Sequence, residues 1–470
     1  MVPKILFLLN ILLFSFTGNT QSVPQKLATK WAKFTADAQL QYGLAGICAI
    51  EAKTGKVVFE KNSNIGFAPA STQKVLTTIA AYEALGSNFT YQTQVGYIGS
   101  INGKKLNGHL VIESSGDPTF GSWRYAATKE ELVLQKIADA VKQAGIETIN
   151  GNIIATDKGF DINPIPDNWM WGDMGNYYGA GHWALNWKEN QYDIFFKSGK
   201  AKGNPTTVTK VEPEESIVGK LIYNEVATGD PNTGDGSSIY TAPFSPIKLV
   251  QGKITSNQSQ FQVSGSFSLA DMNCLTAMQS YLQKKGVSLT GKLLPPSAKI
   301  FIAENIPALG RISNVLTLSS PGLDSIVYWF LKKSVNLYGE ALVRTIGLQK
   351  KGYGSTDMGL DWIDSFYNAN GFDTKAMHMT DGSGLSPTNR ITPFAMTKAL
   401  QFAQSKTWFP AFYEALPLYN GMRLKSGTIH RTKCFAGYHN GYIVCLMVNN
   451  YNGSSGALVD KMYNVLDGLK

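Results

Sequence analysis

The sequence predicts an α+β fold in which one domain, an antiparallel sheet flanked by helices, is interrupted by a large β-rich insertion. Three observations support this prediction. Strand and helix patterns occur together at both ends of the chain, at residues 21–86 and 303–470. Between them, residues 87–302 consist mainly of short apolar runs separated by Gly, Asn and Pro, which is typical of strands and turns. Within this insertion, residues 156–245 have little helical periodicity, which indicates a β-rich lobe.

The first residues have the layout of a secretory signal peptide. Lys4 is followed by an apolar run, Ile5 to Phe16, and then by small and polar residues, so we place cleavage near Thr20 and assign residues 1–20 to the signal. The run is short for a membrane span, and no later segment approaches the roughly 18 apolar residues that a span needs. We therefore expect a soluble, exported protein of a bacterial periplasm or cell envelope.

The chain is basic, with 43 Lys and Arg residues against 34 Asp and Glu residues and a net charge of +9. This charge favours polyanionic surroundings such as nucleic acid, anionic envelope polymers or peptide carboxylates. Export removes nucleic acid from these candidates. The basic residues are dispersed along the chain, so a solvated basic surface is the other interpretation.

Cysteine and histidine usage argues against a disulfide scaffold and against a metal site. The four cysteines are scattered, and a two-residue turn at Asn440-Gly441 would offset Cys434 from Cys445. We therefore expect free, buried thiols. The five histidines form no His-x-x-x-His pair, and the chain has no Cys-x-x-Cys pair. The sequence thus predicts neither a metal nor another cofactor.

Apolar spacing predicts the individual elements. Lys26 to Leu44 is predicted as an amphipathic helix, and Gly46 to Asn62 as a hairpin. A buried helix then begins at Ser71, after Pro69, and stops at Gly86. The later predicted elements are helices at 130–144, 270–285, 323–333, 336–351, 357–370 and 454–469, and consecutive antiparallel strands within 422–452.

Ser71 and Lys74 stand three residues apart at the start of that buried helix. Positions three apart share a helix face, so the hydroxyl and the amine could touch. A lysine desolvated by apolar surroundings can lose its proton and activate a serine as a nucleophile. The alternative is an N-cap serine beside a solvated lysine. Ser245 and Lys248 repeat the spacing, but Pro246 and the following β-branched run predict a strand there.

Possible partners for Ser71 occur near the C-terminus. Ser334-Val335-Asn336 lies between two predicted helices, where a loop could point both polar side chains into a cleft. Lys425-Ser426-Gly427-Thr428 opens the final strands. Each motif is weak alone, because Lys53-Thr54-Gly55 and Lys197-Ser198-Gly199 also match the last one. The order Ser-x-x-Lys, Ser-x-Asn, Lys-[Ser/Thr]-Gly is nevertheless the signature of penicillin-binding proteins and serine β-lactamases.

Longer stretches extend the match over nearly all of the mature chain: TGKVVFEKNSNIGFAPASTQKVLTT, SSGDPTF, GHWALNWKEN, SNVLTLSSPGLDSIVYWFLKKSVNLYGEALVR, TDGSGLSPTNRIT, and LKSGTIHRTKCFAGY followed by VNNYN. The sequence resembles penicillin-binding proteins of the D-alanyl-D-alanine carboxypeptidase/endopeptidase group, peptidase family S13. The resemblance implies a β-lactamase/transpeptidase-like domain with an insertion between the first and second motifs. Departures are modest: Val335 in the second motif, Gly339 where Ala is usual, and Ser426 for Thr.

The resemblance implies a catalytic role for four residues. Ser71 would attack the carbonyl between two D-alanines and form an acyl-enzyme that water resolves. Lys74 would be the general base, kept neutral by burial and by the nearby cation of Lys425. Ser334 would relay a proton to the leaving amine, and Asn336 would donate to the peptide carbonyl of the substrate.

The resemblance also implies a substrate-binding role for the third motif. Lys425 and Thr428, together with Ser426, would hold the terminal carboxylate of the substrate, and Gly427 would let the strand approach closely. The backbone N–H groups of Ser71 and Thr428 would form the oxyanion pair. The expected partners are peptidoglycan peptides ending in D-Ala, with β-lactams as covalent inhibitors.

Two other functions compete with this interpretation. A serine β-lactamase shares the motifs, but the sequence shows no convincing deacylating glutamate in an omega-like loop, and the insertion argues against that class. A non-catalytic peptidoglycan-binding scaffold would be expected to lose a motif residue, and none is lost. The sequence does not separate carboxypeptidase from endopeptidase action, and it predicts no oligomeric state.

Three further features have a structural and a functional interpretation. The run Asp381 to Ser386 matches a family signature but consists of ordinary turn formers, so cleft-forming and purely structural roles are weighed equally. His430 is interpreted as a strand residue rather than a catalyst. The aromatic run from Asp167 to Trp183 is interpreted as core and edge of the lobe in preference to a sugar-stacking platform.

Overall fold

The structure, a computed structural model, describes residues 21–214 and 221–470. The signal peptide predicted at residues 1–20 lies outside the described residues. The α-helices of the described residues are α1 Val23–Thr35, α2 Lys74–Leu85, α3 Glu130–Gln143, α4 Trp171–Met174, α5 Ala270–Lys284, α6 Ala298–Phe301, α7 Leu323–Lys332, α8 Asn336–Lys351, α9 Thr356–Ala369, α10 Pro393–Gln404, α11 Phe409–Ala415 and α12 Ser455–Leu466.

The strands fall into several sheets. In chain order they are β1 Leu44–Glu51, β2 Val57–Lys61, β3 Gln92–Asn102, β4 Lys105–Glu113, β5 Thr148–Asn150, β6 Ile153–Ala155, β7 Gln191–Lys197, β8 Thr207–Glu212, β9 Ile222–Thr228, β10 Asp235–Tyr240, β11 Lys248–Ile254, β12 Phe261–Ser266, β13 Ser288–Leu289, β14 Leu293–Leu294, β15 Ser313–Ser319, β16 Met377–His378, β17 Arg390–Ile391, β18 Leu418–Tyr419, β19 Met422–Ile429, β20 Thr432–His439 and β21 Tyr442–Asn449.

The first sheet is antiparallel and joins the two ends of the chain, in the order β18-β19-β20-β21-β1-β2. Its strand β1, which lies between β21 and the edge strand β2, is buried over almost its whole length because helices cover both faces of the sheet. Ile47 and Ala49 pack on one side with α1 and α12, whereas Cys48 and Ile50 pack on the other with α2, α8 and α10. Each such fully buried Ile stabilises the fold by roughly 1.5–3 kcal/mol relative to an exposed one.

Helix α2 lies inside the second of these cores and has almost no solvent-facing side. Every residue from Lys74 to Tyr82 is buried, and Val75, Leu76 and Ile79 have no exposed surface. A helix that is apolar all round belongs in a core, and its first residue here is a lysine. The burial of this helix therefore decides the environment of the Lys74 amine.

A second sheet holds strands from the middle of the chain, in the order β13-β5-β4-β3-β15, with β6 and β14 joined to β4. It packs against α3 and α5. Strand β15, at Ser313–Ser319, pairs antiparallel with β3. The expected end of the insertion at residue 302 therefore falls before a strand that still belongs to this sheet, while the division of the chain into domains stays a prediction.

Beyond the second sheet lie two three-stranded sheets, β10-β11-β9 and β12-β7-β8. Their shared core includes Trp183, Tyr192, Ile194 and Phe267. These strands lie between residues 191 and 266, so the β-structure continues past residue 245, the expected end of the lobe. These two sheets and the loops from Asp161 to Asn190 together are called the lobe.

Most predicted elements are confirmed. The hairpin of β1 and β2 is present, and so is the turn at Asn440-Gly441, where His439 lies opposite Tyr442. All four cysteines are free and buried. The predicted first helix is too long: α1 ends at Thr35, and Asp37 caps a short 3-10 turn that carries Leu40 into the core. The helical spacing of buried apolar residues thus extends to Leu40, although the helix itself ends at Thr35.

Within 21–214 and 221–470, no helix has the length and apolar character that crossing a bilayer requires.

Candidate active site

Ser71 lies in a strained turn at the entrance to α2. Residues Ala70–Gln73 form a 3-10 turn that leads directly into the helix. Ala70 has a φ of 46°, in the left-handed region that non-glycine residues avoid. Thr72 Oγ1 donates to Pro69 O at 2.6 Å and fastens the turn. Such strain persists only where the surroundings hold it, and it is concentrated at functional sites.

The Lys74 amine is buried and contacts three oxygen atoms. Its Nζ lies 2.9 Å from Ser71 Oγ, 2.6 Å from Asn336 Oδ1 and 2.6 Å from Ser383 O. A neutral amine has two N–H groups and one lone pair. The amide oxygen and the carbonyl can only accept, so they take the two N–H groups. The lone pair is then left for the Ser71 hydroxyl, which is the arrangement that a general base needs.

Burial lowers the pKa of Lys74 to about 7. The carboxylates of Asp381 and Glu340 oppose this shift but do not outweigh it. The sequence prediction named two causes, burial and the cation of Lys425. Burial is confirmed as the cause, whereas Lys425 is not among the groups that shift Lys74. The electrostatic influence runs in the other direction, from Lys74 to Lys425.

Ser334 and Asn336 stand on the short connection between α7 and α8. Ser334 has a φ of 58°, which turns the chain sharply, and Asn336 is the first residue of α8. This geometry brings the Asn336 side chain to Lys74 and the Ser334 hydroxyl to Lys425 Nζ, at 3.1 Å. Asn336 Nδ2 donates to Tyr178 O at 2.8 Å, a contact with the lobe that the sequence did not predict.

Lys425 is buried in β19 beside this group. Its Nζ donates to Ser334 Oγ at 3.1 Å and to Ser426 O at 2.8 Å. Burial, followed by the nearby cations of Lys74 and Lys433, holds the pKa of Lys425 well below its ordinary value. Burial therefore opposes the charged form of Lys425, which is predicted from the sequence to be a cation.

Strand β19 runs directly against the Ser71 turn, and Gly427 makes this possible. A Cβ at Gly427 would lie 2.5 Å from Pro69 O and 3.0 Å from Ser71 N, both backbone atoms. The expectation of a close backbone approach is thus met by the structure. Thr428 then lies at the cleft, where its Oγ1 accepts from Lys433 Nζ at 2.8 Å. Lys433 is a further cation that the sequence motifs did not single out.

Ser426 is placed differently from its expectation. Its hydroxyl donates to the Tyr419 hydroxyl at 3.1 Å, and it does not line the cleft, whereas Thr428 does. Of the side chains from Lys425 to Thr428, only that of Thr428 lines the cleft, and Lys433 Nζ donates to it.

The loop from Asp381 to Ser386 forms a wall of the cleft. Of the two roles weighed for this run, the structure therefore favours the cleft-forming one over the purely structural one. Ser383 contributes the carbonyl that binds Lys74, and Gly384 lines the cleft. The buried Asp381 carboxylate holds the loop by accepting from Gly384 N at 2.8 Å and from Trp169 Nε1 at 3.0 Å. Sequence reasoning missed Trp169 because the contact joins residues 212 positions apart.

A second buried carboxyl lies behind Lys74. Glu340 accepts from Gly382 N at 3.0 Å, and burial, followed by the Asp381 charge, raises the pKa of Glu340 to about 8. Glu340 stands inside the matched stretch NLYGE, so its place in the family pattern was the only signal available for it.

The cleft has a volume of about 910 Å³ and opens between these motifs and the lobe. The aromatic run from Asp167 to Trp183 was predicted to form the core and the edge of the lobe, and its side chains are found in both places. Trp169 and Trp183 are buried as predicted, but Tyr177 and Tyr178 are exposed and line the cleft. His430 is also at the cleft, in the turn that follows β19 rather than in a strand.

The repeated spacing at Ser245 and Lys248 lies elsewhere, in the lobe. Lys248 begins strand β11, as predicted, and is fully buried. Its Nζ donates to Thr241 Oγ1 and Ser268 Oγ, both at 2.8 Å, and not to the Ser245 hydroxyl. The pair therefore lacks the serine–lysine contact found at Ser71.

Metal ligation can be judged for the part of the chain that the structure describes. There, no group of three or more His, Cys, Asp or Glu side chains is arranged to hold a metal ion. The chemistry of the cleft described above is that of hydroxyl, amine and amide groups.

Known proteins that are similar in sequence are D-Ala-D-Ala carboxypeptidases. The model of the "D-Ala-D-Ala carboxypeptidase 3 (S13) family" matches residues 27–439. The D-alanyl-D-alanine carboxypeptidase of Actinomadura sp. (strain R39) is 24% identical over 450 residues, covering 89% of this chain and 80% of that protein. D-alanyl-D-alanine carboxypeptidase DacB of Haemophilus influenzae is 24% identical over 368 residues, covering 76% and 70%.

The fold is similar to a solved structure. The crystal structure of penicillin binding protein 4 (dacB) from Haemophilus influenzae superposes with a TM-score of 0.79 at 20% sequence identity, covering 93% of this chain and 98% of that one. The α+β fold of the penicillin-binding enzymes, with a sheet between helices, is thereby confirmed. The chain belongs to the D-Ala-D-Ala carboxypeptidase 3 (S13) family and is a serine-type hydrolase of the D-Ala-D-Ala carboxypeptidase class.

Proposed function

We propose that Ser71 is the nucleophile with which this enzyme cleaves the bond after D-alanine in peptidoglycan stem peptides and cross-links. The observation that carries the proposal is the 2.9 Å contact between Ser71 Oγ and a buried Lys74 amine whose two N–H groups already have acceptors. The lowered pKa of Lys74 supports its role as base near neutral pH.

In the acylation step, Ser71 Oγ bonds to the substrate carbonyl carbon while its proton passes to Lys74 Nζ. The charge that develops on the carbonyl oxygen is held by the backbone N–H groups of Ser71 and Thr428. One such donor is worth about 3–4 kcal/mol in the transition state. The close packing of β19 on the Ser71 turn supports this pairing, because it brings the two backbone segments together.

The leaving amine then needs a proton, and Ser334 is the proposed relay. Its hydroxyl gives a proton to the amine nitrogen as the carbon–nitrogen bond breaks, and Lys425 Nζ, 3.1 Å away, is placed to replace that proton. Lys74 meanwhile holds the proton taken from Ser71. Proton exchange with solvent water returns Lys74 to its neutral form and Lys425 to its protonated form. In deacylation, water attacks the ester carbonyl carbon and gives a proton to the neutral Lys74, which passes it to Ser71 Oγ as the ester carbon–oxygen bond breaks.

Substrate binding is assigned to the third motif. Lys425, Thr428 and the neighbouring Lys433 would hold the terminal carboxylate of a D-Ala peptide. Because an anion favours the charged form of an amine, the carboxylate would restore the proton that burial disfavours on Lys425. Asn336 would keep Lys74 oriented, and exchange of its Nδ2 contact from Tyr178 O to the substrate carbonyl would let it bind the peptide.

We further propose export, β-lactam sensitivity and a soluble mature enzyme in the periplasm or cell envelope. The leader pattern of residues 1–20 supports export. A structure of the Haemophilus influenzae protein "complexed with novel beta-lactam (CMV)" supports the second part, with a TM-score of 0.74 to this chain.

The deciding experiment is incubation of the mature enzyme with a monomeric pentapeptide muropeptide and with a cross-linked dimer. Release of D-alanine from the monomer identifies carboxypeptidase action, and conversion of the dimer to monomers identifies endopeptidase action. Ser71→Ala is expected to abolish both, while Ser245→Ala leaves both unchanged. If the wild-type enzyme cleaved neither the monomer nor the dimer, the proposed function would be contradicted.

A further inference from the structure

A second groove lies beside the cleft, on the outer face of the lobe sheet β12-β7-β8. Its floor is a row of side chains across the strands, where Asp193 lies opposite both Glu212 and Ser264. Its wall is the loop that carries Trp123, and its volume is about 670 Å³. Gln191 lines this groove and the cleft alike. A ligand could therefore extend from one into the other without leaving the surface.

Trp123 is exposed but held in place. Its side chain is 48% exposed, yet both neighbours are tied to the fully buried Glu189. Ser122 Oγ donates to the Glu189 carboxylate at 2.7 Å, and Arg124 Nε lies 2.8 and 3.0 Å from its two oxygens. The Arg124 guanidinium lies 5.4 Å from the Trp123 ring centre and 5.3 Å from that of Trp329. The indole is thus a positioned apolar surface.

Polar groups with free hydrogen-bonding capacity line the same groove as Trp123. In the described parts of the chain, the side-chain amides of Gln191 and Gln262 make no hydrogen bond, and the Asp193 carboxylate accepts only from Ser264 Oγ, at 2.5 Å. Each amide can donate and accept hydrogen bonds, and the carboxylate can accept further hydrogen bonds. These groups match a ligand that carries several hydroxyl or amide groups.

The charge of the groove disfavours an anionic ligand. Four carboxylates, those of Glu130, Glu131, Asp193 and Glu212, line it together with two cations, Lys129 and Lys188. Lys188 is already paired with Glu130, at 2.6 Å. A phosphate or a peptide carboxylate would be repelled, whereas a neutral polyhydroxyl compound would not.

We infer that this groove binds a neutral pyranose of the glycan strand to which the substrate peptide is attached. The C–H face of the sugar would pack on the Trp123 ring, and its hydroxyl and acetamido groups would bond to Gln191, Gln262 and Asp193. This inference rests on the proposed activity toward peptidoglycan peptides. It assigns to the lobe a role in selecting peptides that carry their sugars.

The test compares cleavage of a disaccharide-pentapeptide with cleavage of the same pentapeptide without sugars. The wild-type enzyme is expected to prefer the sugar-bearing substrate by about five- to tenfold in kcat/KM, mainly through a lower KM. Trp123→Ala and Gln262→Ala should each reduce this preference while leaving kcat/KM for the free pentapeptide nearly unchanged. Tyr223→Ala, which removes a ring that is 65% exposed on β9, is the matched control and should retain the preference.

Each outcome has a defined meaning. Equal kcat/KM values of the wild-type enzyme for the two substrates would overturn the inference, and so would a preference that survives in both variants. Cleavage of neither substrate would instead contradict the proposed function. If Trp123→Ala lost activity on both substrates, Gln262→Ala, which alters an exposed residue of β12, would decide alone.

Discussion

The Asn336 carboxamide oxygen lies 2.6 Å from the Lys74 amine. The orientation of this amide is set by its other end, since Nδ2 donates to the Tyr178 carbonyl at 2.8 Å. Asn336 therefore presents an acceptor to Lys74, which keeps one N–H group of the amine occupied and its lone pair directed to Ser71. A lobe residue thus takes part in orienting the base.

Asn336→Asp is expected to shift the acid limb of the acylation profile to higher pH. A carboxylate in contact with the Lys74 amine favours its protonated form, so the pKa of Lys74 should rise above its present value of about 7. The measurement is the rate constant for penicillin acylation between pH 5.5 and 10. Asn368→Asp, the same change at an exposed position of α9, is the control. An acid limb at the wild-type position would contradict the assignment of Lys74 as base.

Lys74→Arg and Lys425→Arg are expected to differ strongly. Arginine keeps its proton at any working pH, so Lys74→Arg cannot act as base and acylation should collapse while the fold survives. Lys425→Arg keeps a cation suited to a carboxylate, so a measurable fraction of activity should remain. Acylation rates at pH 8, with circular dichroism to verify folding, give the comparison. Equal rates or the reverse order would show that the base is the wrong lysine.

Gly427→Ala is expected to impair acylation by about a hundredfold, because the added Cβ would meet backbone atoms of the Ser71 turn and push β19 away. The free energy of unfolding should fall by about 1–3 kcal/mol from the same clash. Gly456→Ala, where a Cβ has its nearest neighbour at 3.6 Å, is the matched control and should acylate normally. Acylation of Gly427→Ala at the wild-type rate would refute the close approach.

Lys248→Met tests the buried amine in the lobe. Burial lowers the pKa of Lys248 from 10.5 to about 7. Between these pH values the Lys248 amine is therefore protonated in the unfolded chain and neutral in the folded chain. As pH falls through this window, the free energy of unfolding should drop by about 1.4 kcal/mol per unit, and the drop should stop below pH 7. Lys248→Met lacks this amine, so its free energy of unfolding should increase relative to that of the wild type as the pH is lowered from 10 to 7.

Urea denaturation at several pH values in that window measures this difference. Lys253→Met, which changes an exposed lysine on the same strand, should parallel the wild type. If Lys248→Met also followed the wild-type pH dependence, the amine would not be neutral in the fold.

Local patterns explain what could be predicted from the sequence. The hairpin of β1 and β2, the turn at Asn440-Gly441 and the burial of α2 depend on spacing between near neighbours, which a sequence displays. Motif order likewise predicted that Ser334, Asn336 and Lys425 would meet Ser71. This information comes from family resemblance, since nothing local links positions so far apart.

The remainder depends on tertiary contacts that no local pattern encodes. The bond from Trp169 to Asp381 and the contact of Asn336 with Tyr178 exist only because the lobe folds back onto the cleft. The lowered pKa of Lys425 arises from burial beside two other cations, and one of them, Lys433, lies on the next strand. The hydroxyl of Ser426 was placed at the substrate by analogy, whereas strand packing directs it to Tyr419.

The most direct test of the account is to locate the covalent adduct after brief reaction with penicillin. Trypsin should release the peptide from Asn62 to Lys74, which contains Ser71, and fragmentation by mass spectrometry should place the added mass on Ser71. The adduct should be absent in Lys74→Arg. An adduct on Ser245, or on any residue other than Ser71, would contradict the account.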